Sequence, residues 1–386
     1  MKNKKTEYVY RWSLRYIEEH RFSNDTKMLS ENAARRLLGC SRETVRLAYD
    51  RLEQEGLIER RRGSGTYFRR ENALTHNLST GETTRKIGLI LQGRLTSPSD
   101  VMIEGMKSVF DPYNIDLHVY LTDNQFFNER RLLETVSFQG YNGFIVDGVK
   151  SSFLSPNMDC YQALYRRNIP VIFYNNYYRD LPYPRVKVNN RRAAELLISE
   201  LLHAGHSNIA GIFVYDNIQS VEKFHGMLSV LYRHRIEFTD SCVKWLSSDE
   251  VLRKATVRSI RHFLRELPRT TAVVCCNYRI YTSVMEALSS MNKKVPDDCS
   301  LVCFDYIGDD YESKGITCTV HRGYDMGVHI ASQLMHMIED QQIHEKRYSY
   351  QMSPLFYTGS SVRRLAPLSR ANCIISTKEA PSEIFS

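Results

Sequence analysis

The 386-residue sequence lacks the segments that mark a membrane or secreted protein. It has no run of about eighteen apolar residues, the length that a membrane-spanning helix requires. Its first residues, MKNKKTEYVYRW, contain lysines but neither the apolar core nor the cleavage site of a secretory signal. The nine cysteines are an odd number, stand singly apart from adjacent Cys275 and Cys276, and lie mostly in apolar segments. We therefore expect a cytoplasmic protein with no membrane partner, whose thiols are reduced and buried.

The sequence also has little that indicates a metal centre or a catalytic site. Cys299 and Cys303 come nearest to metal-ligand spacing, but they lie in the strand-like segment CSLVCFD without a second Cys or His pair. Adjacent Asp309 and Asp310 and the twelve histidines could suggest an enzyme. No nucleophile elbow, phosphate-binding loop or metal motif accompanies them. We predict that the protein is not an enzyme and has no metal, cofactor or catalytic residue.

Positive charge is concentrated in the first seventy residues. They contain 17 Lys and Arg against 10 Asp and Glu, whereas residues 71–386 contain 35 against 34. A basic segment attached to a nearly neutral body is typical of a protein whose N-terminal part binds a polyanion, because phosphate neutralisation and counterion release drive nucleic-acid affinity. The ordinary composition, 42% hydrophobic and 25% charged, fits two or three compact units.

Apolar spacing in the basic segment predicts a helix-turn-helix followed by a β-hairpin. A first helix is expected from Glu7 to about His20. Ser30 can cap a second helix that Gly39 ends, and Ser41 can cap a third that Gly56 ends. The predicted inward faces are Ala33, Ala34, Leu37 and Leu38 on the second helix and Val45, Ala48, Tyr49 and Leu52 on the third. The segment LIERRRGSGTYF then alternates strand formers around two glycines, which predicts a hairpin.

Two arginines at the start of the third helix are candidate DNA-reading residues. Arg42 and Arg46 are four residues apart and therefore lie on one face, opposite the apolar stripe. In a helix-turn-helix this part of the helix enters the major groove, where arginine can make paired hydrogen bonds to guanine. The alternative is a solvated surface on which they balance Glu43 and Asp50. Arginines beside glycines in the hairpin favour DNA, because glycine backbone can approach a phosphate closely.

The run SENAARRLLGCSRETVRLAYDRLEQEGLIERRRGSGTYF, residues 30–68, resembles the winged helix-turn-helix of GntR-type bacterial transcription regulators. The resemblance implies that operator DNA is contacted by Arg42, Thr44, Arg46, Gly63 and Gly65. We add the neighbouring candidates Asn32, Ser41, Arg61 and Arg62. Many members have arginine where this chain has Asn32, although the arabinose-responsive subgroup is similar there. Leu29 replaces the usual proline before the serine.

From Lys86 onward, short apolar runs alternate with amphipathic helices. The predicted strands form two series, 87–92, 115–121, 143–148 and 170–176, then 185–190, 208–215, 271–276 and 300–305. Continuous apolar strands between helices are typical of parallel sheets covered on both faces. The predicted fold class is an α/β body of two doubly wound parallel-sheet lobes after a small winged helix-turn-helix domain. A helix at 323–340 is expected to return to the first lobe.

The same patterns predict the domain limits. We expect a winged helix-turn-helix DNA-binding domain over 1–70, a linker over 71–85, a two-lobed effector-binding and dimerisation domain over 86–365, and a disordered tail over 366–386.

The body resembles the LacI/GalR-type effector domain, which is itself similar to type I periplasmic binding proteins. The resemblance rests on the segments VNNRRAAELLISELLHAGHSNIAGI, SVEKFHG, VVCCNY, VCFD and TVHRGYDMGVHIASQLMHMI. A GntR-type head on such a body resembles the layout of the arabinose repressors. The resemblance implies a dimer whose body binds a small effector.

Polar residues at the strand ends are the candidate effector ligands, since ligands of parallel α/β lobes lie at the carboxyl ends of strands. These residues are Gln92, Asp147, Asn175, Asn277 and Asp305. The resemblance adds Lys223, which stands where an effector-binding arginine is usual, and it implies the same role for Asn277 and Asp305. Lysine cannot make the planar two-pronged contact of arginine, and Tyr278 replaces a usual aspartate. Ordinary strand-end and helix-capping roles remain the alternative for Asn277 and Asp305.

Carboxylates, amides and one cation suit a polyhydroxylated ligand, because each hydroxyl both donates and accepts hydrogen bonds. We therefore predict a homodimeric transcriptional repressor of carbohydrate genes that binds double-stranded operator DNA and is controlled by a sugar-like effector. The alternative is a regulator whose LacI-like body binds a protein partner or has lost ligand binding.

Overall fold

The computed structural model describes residues 5–6, 9–10, 12–13, 16, 26–54, 57–61, 64–68, 85–93, 97–136, 140–253, 255–306, 310–341 and 345–365. Arg62, Gly63, Asp309, residues 71–84 of the predicted linker and the whole predicted tail lie outside these ranges. The chain divides into two compact units, one of residues 1–88, 114–118 and 131–142 and one of the remaining residues. The domain limits given above remain predictions.

The head contains the predicted pair of helices. Helix α1 spans Glu31–Leu38 and α2 spans Arg42–Gln54. The Ser30 side chain accepts a hydrogen bond from the Ala33 amide, and Gly39 ends α1 in the left-handed conformation with φ 61°. The Ser41 hydroxyl accepts a hydrogen bond from the Thr44 amide at 3.1 Å, which confirms it as the cap of α2. The described residues between 5 and 16 are helical as well.

The apolar stripe of α2 is the centre of the head. Val45, Ala48, Tyr49 and Leu52 are fully buried, as predicted. The other members of this core are Val9, Tyr10, Met28, Ala34, Leu57, Ile58 and Phe68. The prediction for Leu37 was wrong, because its side chain is 62% exposed. Leu37 follows Ala34 by three residues, which turns it about 60° away from the buried side of this short helix.

The predicted hairpin follows α2. Strand β1, Ile58–Arg61, pairs antiparallel with β2, Gly65–Phe68, so that Ile58 faces Phe68 and Arg61 faces Gly65. Gly65 has φ 128°, and a β-carbon there would come within 2.8 Å of the Lys27 side chain. The strand start therefore requires glycine.

The first lobe of the body begins at Arg85. Its strands in chain order are β3 Arg85–Leu91, β4 Ile115–Leu121, β5 Gly143–Val146, β6 Val171–Tyr174 and β7 Arg185–Val188. Its helices are α3 Ser97–Phe110, α4 Phe126–Val136 and α5 Met158–Arg166.

The chain then enters the second lobe. The helices are α6 Asn190–His203, α7 Ile218–Arg233, α8 Ser248–Val251, α9 Ala255–Arg265, α10 Tyr278–Ser289, α11 Gly323–Asp340 and α12 Glu345–Tyr348. The strands from this point of the chain onward are β8 Ile209–Val214, β9 Val243–Leu246, β10 Ala272–Cys275, β11 Ser300–Tyr306, β12 Thr317–Val320, β13 Tyr350–Met352 and β14 Leu355–Tyr357. Two of these later elements, α11 and β13, belong to the first lobe. Helix α9 begins after a break, so the single helix predicted near 249–266 is two helices.

Both lobes are doubly wound sheets, as predicted, but the strand predicted at 185–190 was assigned to the wrong series, because β7 pairs with β6 in the first sheet. The first sheet runs β4-β3-β5-β6-β7-β13 and the second runs β9-β8-β10-β11-β12-β14. All pairs with a recorded register are parallel, except that β14 joins β12 antiparallel. In each sheet the strand order reverses beside the first strand of the lobe. The reversal lies between β3 and β5 in the first sheet and between β8 and β10 in the second. Such a reversal opens a crevice at the carboxyl ends of the strands.

Helix α11 returns to the first lobe, as predicted, and packs closely on α3. A β-carbon on Gly327 would lie 2.0 Å from the Met102 carbonyl oxygen, and one on Gly105 would lie 2.2 Å from that of Tyr324. The two glycines thus allow direct contact between the helix backbones.

Candidate DNA-binding surface and effector cleft

The arginines of α2 lie on the exposed side of the helix. The Arg42 side chain is 71% exposed, and its Nε lies 3.9 Å from Oε2 of Glu31. Arg46 is exposed, and among the described residues its guanidinium has no carboxylate partner. Between them, Thr44 shares a 2.7 Å hydrogen bond with the Ser41 hydroxyl. The helix therefore presents two accessible guanidinium groups directly after its capped end.

The remaining head candidates flank this surface. Asn32 is exposed on α1. Arg61 lies at the end of β1, where its Nε is 3.2 Å from Oε2 of Glu59 and its guanidinium lies 4.6 Å from the centre of the Tyr67 ring. Arg62 and Gly63 lie outside the described residues.

Arg60 has a different role from Arg61. Its side chain lies 2.5 Å from Asp50, 3.5 Å from Glu53 and 3.8 Å from Glu31, and it donates to the Arg46 carbonyl oxygen. Arg60 therefore fixes β1 against α2 and is not available to DNA. Because Asp50 pairs with Arg60, it does not balance Arg46. The period of two along β1 places Arg60 on the same side as buried Ile58, a signal that the sequence contained.

Two of the first-lobe candidates meet where the strand order reverses. Gln92 follows β3 and Asp147 follows β5, and the Gln92 backbone N–H donates to the Asp147 carboxylate. The Gln92 side-chain amide donates to the Gly148 carbonyl oxygen. The Asn176 side chain donates to the same carboxylate at 2.8 Å. Burial raises the pKa of Asp147 to about 7 despite these donors. The Asp147 carboxyl can therefore both donate and accept near neutral pH.

Asn175 provides a buried acceptor without a partner. It follows β6 with φ 52°, in the left-handed region, and is 8% exposed. Its Oδ1 is buried and has no hydrogen-bond partner among the described residues. An unsatisfied buried acceptor costs about 1–3 kcal/mol. A hydroxyl or amide of a ligand would satisfy it.

The second-lobe candidates Lys223 and Asp305 form an ion pair. Lys223 lies on α7 and is 3% exposed, and its Nζ bonds Asp305 and the Cys276 carbonyl oxygen. Asp305 lies within β11, where the register against β12 is irregular and φ is 49°. This irregular backbone turns the carboxylate toward Lys223.

Asn277 has the capping role that the sequence left open. Its Oδ1 accepts a hydrogen bond from the Ile280 amide at 2.9 Å and caps α10. The cap uses the side-chain oxygen, which leaves the amide nitrogen as the group with which Asn277 could bind an effector.

His321 was not predicted from the sequence. It follows β12, near Asp305 and Lys223. Burial lowers the pKa of His321, Asp305 opposes this effect and Lys223 adds to it. This lower pKa favours the neutral imidazole beside the ion pair. His321 was not a candidate because strand β12 was not predicted, and only the end of that strand marks position 321 as a possible ligand-binding position.

Glu222, next to Lys223 on α7, joins the two lobes. Its carboxylate lies 2.5 Å from Nζ of Lys187 on β7 and accepts hydrogen bonds from Tyr177 and Asn190. Ser151 after β5 adds a further link by accepting from the Ile218 amide at 3.1 Å. Neighbouring residues on α7 therefore contact both lobes.

Other kinds of site are not evident in the described ranges. These contain no group of three or more His, Cys, Asp or Glu side chains arranged to hold a metal ion. Their cysteines are free thiols. No helix in this part of the chain has the length and apolar character needed to cross a membrane.

Two family models match the chain. Residues 14–68 match the bacterial regulatory proteins of the gntR family, and residues 198–362 match a periplasmic binding protein-like domain. The chain therefore joins a gntR-type head to a periplasmic binding protein-like body. Two similar relatives are both named arabinose metabolism transcriptional repressor. The relative from Halalkalibacterium halodurans is 26% identical, with 82% of this chain and 84% of the relative covered. The relative from Geobacillus stearothermophilus is 28% identical, with 86% of this chain and 90% of the relative covered.

Solved structures confirm the fold of the body. The transcription regulator CcpA of Lactococcus lactis is 18% identical and aligns with a TM-score of 0.64 over 73% of this chain and 100% of its own. A LacI family transcriptional regulator from Enterococcus faecium, solved with bound ribose, is 18% identical. It aligns with a TM-score of 0.59 over 73% of this chain and 100% of its own. Both likenesses fit the two-lobed periplasmic-binding-protein-like arrangement.

Proposed function

We propose that this protein is a transcriptional repressor of carbohydrate genes that binds operator DNA through its head and a sugar-like effector through its body. The observation that carries this proposal is the pair Arg42 and Arg46, exposed at the capped start of α2 on a head joined to a two-lobed ligand-binding fold. The names of the two relatives support the repressor role and the carbohydrate context.

The DNA-reading step follows from the geometry of the head. The start of α2 would enter the major groove with Arg42 and Arg46 against base edges, while Ser41 and Thr44 contact the backbone. Arg61, Arg62, Gly63 and Gly65 would contact phosphate or the minor groove, and Asn32 would lie beside the entering helix. As a homodimer, the protein would read two half-sites about 10 bp apart or a multiple of that spacing.

The chemistry of the cleft favours a neutral polyhydroxylated effector over an anion. Asp305 neutralises the only cationic candidate, Lys223. The first lobe offers the acceptor of Asn175, the side-chain oxygen of Gln92, and the donor and acceptor groups of Asp147. Asn277 and Asp305 would supply further hydrogen bonds from the second lobe. Hydroxyl groups satisfy such a mixed set because each of them donates and accepts.

Coupling to DNA requires that the effector bind one lobe arrangement better than another. Glu222 and Lys223 are adjacent on α7, and they contact the first and the second lobe respectively. An effector that competes for Lys223 or Asp305 would alter the contacts of α7 with the two lobes. Through the dimer, this change would alter the freedom of the two heads. The repressor would act in the cytoplasm.

The test combines operator selection with effector screening. The full chain selects duplexes from a random library, and the selected operator is used in gel shifts with a panel of neutral sugars and sugar acids. We expect a near-palindromic operator and its release by a neutral sugar that also raises the thermal unfolding temperature. A failure to enrich any duplex would overturn the DNA-binding role. If no sugar changes either reading, the effector role is wrong and a protein-responsive or unresponsive body takes its place.

A further inference from the structure

The body carries a local concentration of positive charge that neither the head nor the cleft uses. Residues 253–269 contain six Lys and Arg against one Glu. The rest of residues 71–386 contains 29 Lys and Arg against 33 Asp and Glu. This segment therefore has a net charge of +5, whereas the rest of the body has a net charge of −4. Clustered charge of one sign on an otherwise neutral surface is typical of a surface that attracts an oppositely charged partner.

Helix α9 presents this charge to solvent. Thr256, Ile260 and Leu264 are buried and hold the opposite face of α9 on the second lobe. The exposed face of this one helix borders an open, solvent-facing space of about 450 Å³, which we call the arginine groove. The groove is lined by Ala255, Arg258, Ser259, Arg261, His262 and Arg265.

The guanidinium groups of this groove are unpaired within the described ranges. None of Arg258, Arg261 and Arg265 lies within ion-pair distance of a described carboxylate. Two exposed arginines elsewhere on the body do have partners, because Arg192 pairs with Glu195 and Arg322 pairs with Asp325. Three neighbouring guanidinium groups repel one another, so the groove favours a ligand that brings several negative charges.

The shape of the groove selects an elongated ligand. Arg258 and Arg265 are two turns apart, or about 10.5 Å along the helix axis. One small anion could not reach both ends. Ala255 and Ser259, four residues apart, form a floor of small side chains that allows a second helix to approach between the arginine ridges. Carboxylates spaced three, four and seven residues apart on that helix would meet the guanidinium groups in two-pronged contacts.

We propose that the arginine groove is a docking surface for an acidic helix of a partner protein. This inference goes beyond the proposed function, because it uses neither the operator-reading residues nor the effector cleft. Arginine suits this role better than lysine would, since its planar donors match carboxylate geometry and are weakly hydrated. A partner seated there would contact the second lobe of the body.

The test uses the full chain and a labelled synthetic helical peptide with glutamates at positions one, four, five and eight. A second peptide has glutamine at the same positions. Binding is followed by fluorescence anisotropy for the natural chain and for a double variant, Arg258→Gln with Arg265→Gln. The matched control is Arg279→Gln with Lys294→Gln, which removes the same charge from other exposed positions on the second lobe. Operator binding and thermal unfolding verify that each variant is folded.

We expect the glutamate peptide to bind the natural chain and the control alike, with a loss of at least tenfold in the arginine variant. The glutamine peptide should bind none of them, and added salt should weaken the interaction. Equal binding by the arginine variant, or no binding at millimolar peptide, would overturn the proposal. So would a loss in the same variant of affinity for an unrelated DNA duplex, which would indicate a nucleic-acid surface. Dissociation of the variant into monomers would indicate a contact between copies of this chain instead.

Discussion

Lys187 and Glu222 form an ion pair between the two lobes of the body, with Nζ and Oε1 2.5 Å apart. The two side chains are only 17% and 16% exposed. Burial by itself would raise the pKa of Glu222, but the charge of Lys187 and the donors of Lys187, Tyr177 and Asn190 outweigh it and lower the pKa. The pair therefore stabilises the arrangement in which the lobes are in contact.

Replacing the cation tests this relationship. Lys187→Met should lower the free energy of unfolding by about 1–3 kcal/mol, because the Glu222 carboxylate loses its counter-charge in a partly buried position. Urea titration of the full chain measures the loss. Arg192→Met is the control, since it removes an exposed pair with Glu195 and should cost less than about 0.5 kcal/mol.

The same pair makes a prediction about pH. Because the pKa of Glu222 is lowered in the folded protein, its stabilisation is present above the ordinary value of 4.5 and is lost as the pH falls through the lower folded value. The difference between the natural chain and Lys187→Met should thus be largest at neutral pH and shrink in acid. A difference that stays constant with pH would contradict the assignment.

Asp147 should have the opposite pH dependence. Burial raises its pKa from 3.8 to about 7, so the folded chain retains a proton that the unfolded chain has released. This contribution is fully present below 3.8 and is lost as the pH rises through about 7. We expect the natural chain to lose stability relative to Asp147→Asn over this range in urea titrations. Parallel pH profiles would show that Asp147 has an ordinary pKa.

Most of the strands could be predicted because both faces of a parallel sheet are buried. This burial produces short apolar runs such as IGLI in β3 and GFIV in β5. The strands β9, β13 and β14 were missed because they lie at sheet edges and are short and only partly buried. Their sequences therefore resemble those of loops. Strand β12 was also missed, although it lies inside its sheet, because its four residues, TCTV, include two threonines and form no apolar run.

The candidate site could be predicted by position but not by geometry. The end of an apolar strand identifies Gln92, Asp147 and Asn175, because ligand-facing residues follow such strands. The ion pair of Lys223 with Asp305 joins residues 82 positions apart, and no sequence spacing encodes that contact. The left-handed backbone of Asn175 and Asp305 depends on the surrounding fold, so the orphan acceptor of Asn175 was equally unforeseeable.

Arg46 and Arg61 should differ in how they act on DNA. Arg46→Ala should weaken the selected operator by about 1–3 kcal/mol and relax base preference, because the exposed guanidinium would read base edges. Arg61→Ala should weaken all duplexes alike and lower the slope of affinity against salt by about one. Gel shifts at several salt concentrations separate the two effects. Identical, sequence-independent losses in both variants would contradict base reading by Arg46.

Asp305→Asn should remove the effector response while operator binding remains. Asparagine can keep the left-handed backbone, but it no longer pairs with Lys223, which is 3% exposed. The variant should lose about 3–5 kcal/mol of stability for that reason. Adding Lys223→Met removes the uncompensated charge and should restore part of this loss without restoring the response. Release of the operator by the effector in either variant would mean that the effector binds elsewhere.

Asn175→Gly should separate stability from effector binding. Glycine tolerates φ 52°, and the substitution removes a buried acceptor that has no partner in the described part of the chain. We therefore expect the free energy of unfolding to change by less than about 1 kcal/mol, because relief of an unsatisfied group offsets the lost packing. The apparent affinity for the effector, measured by thermal stabilisation, should decrease at least tenfold.

Asn176→Ala is the matched control. Asn176 bonds Asp147 and Ser151, so its replacement should destabilise the unliganded chain by about 1–3 kcal/mol. If Asn175→Gly is the more destabilising of the two and still binds the effector normally, Asn175 has a structural role.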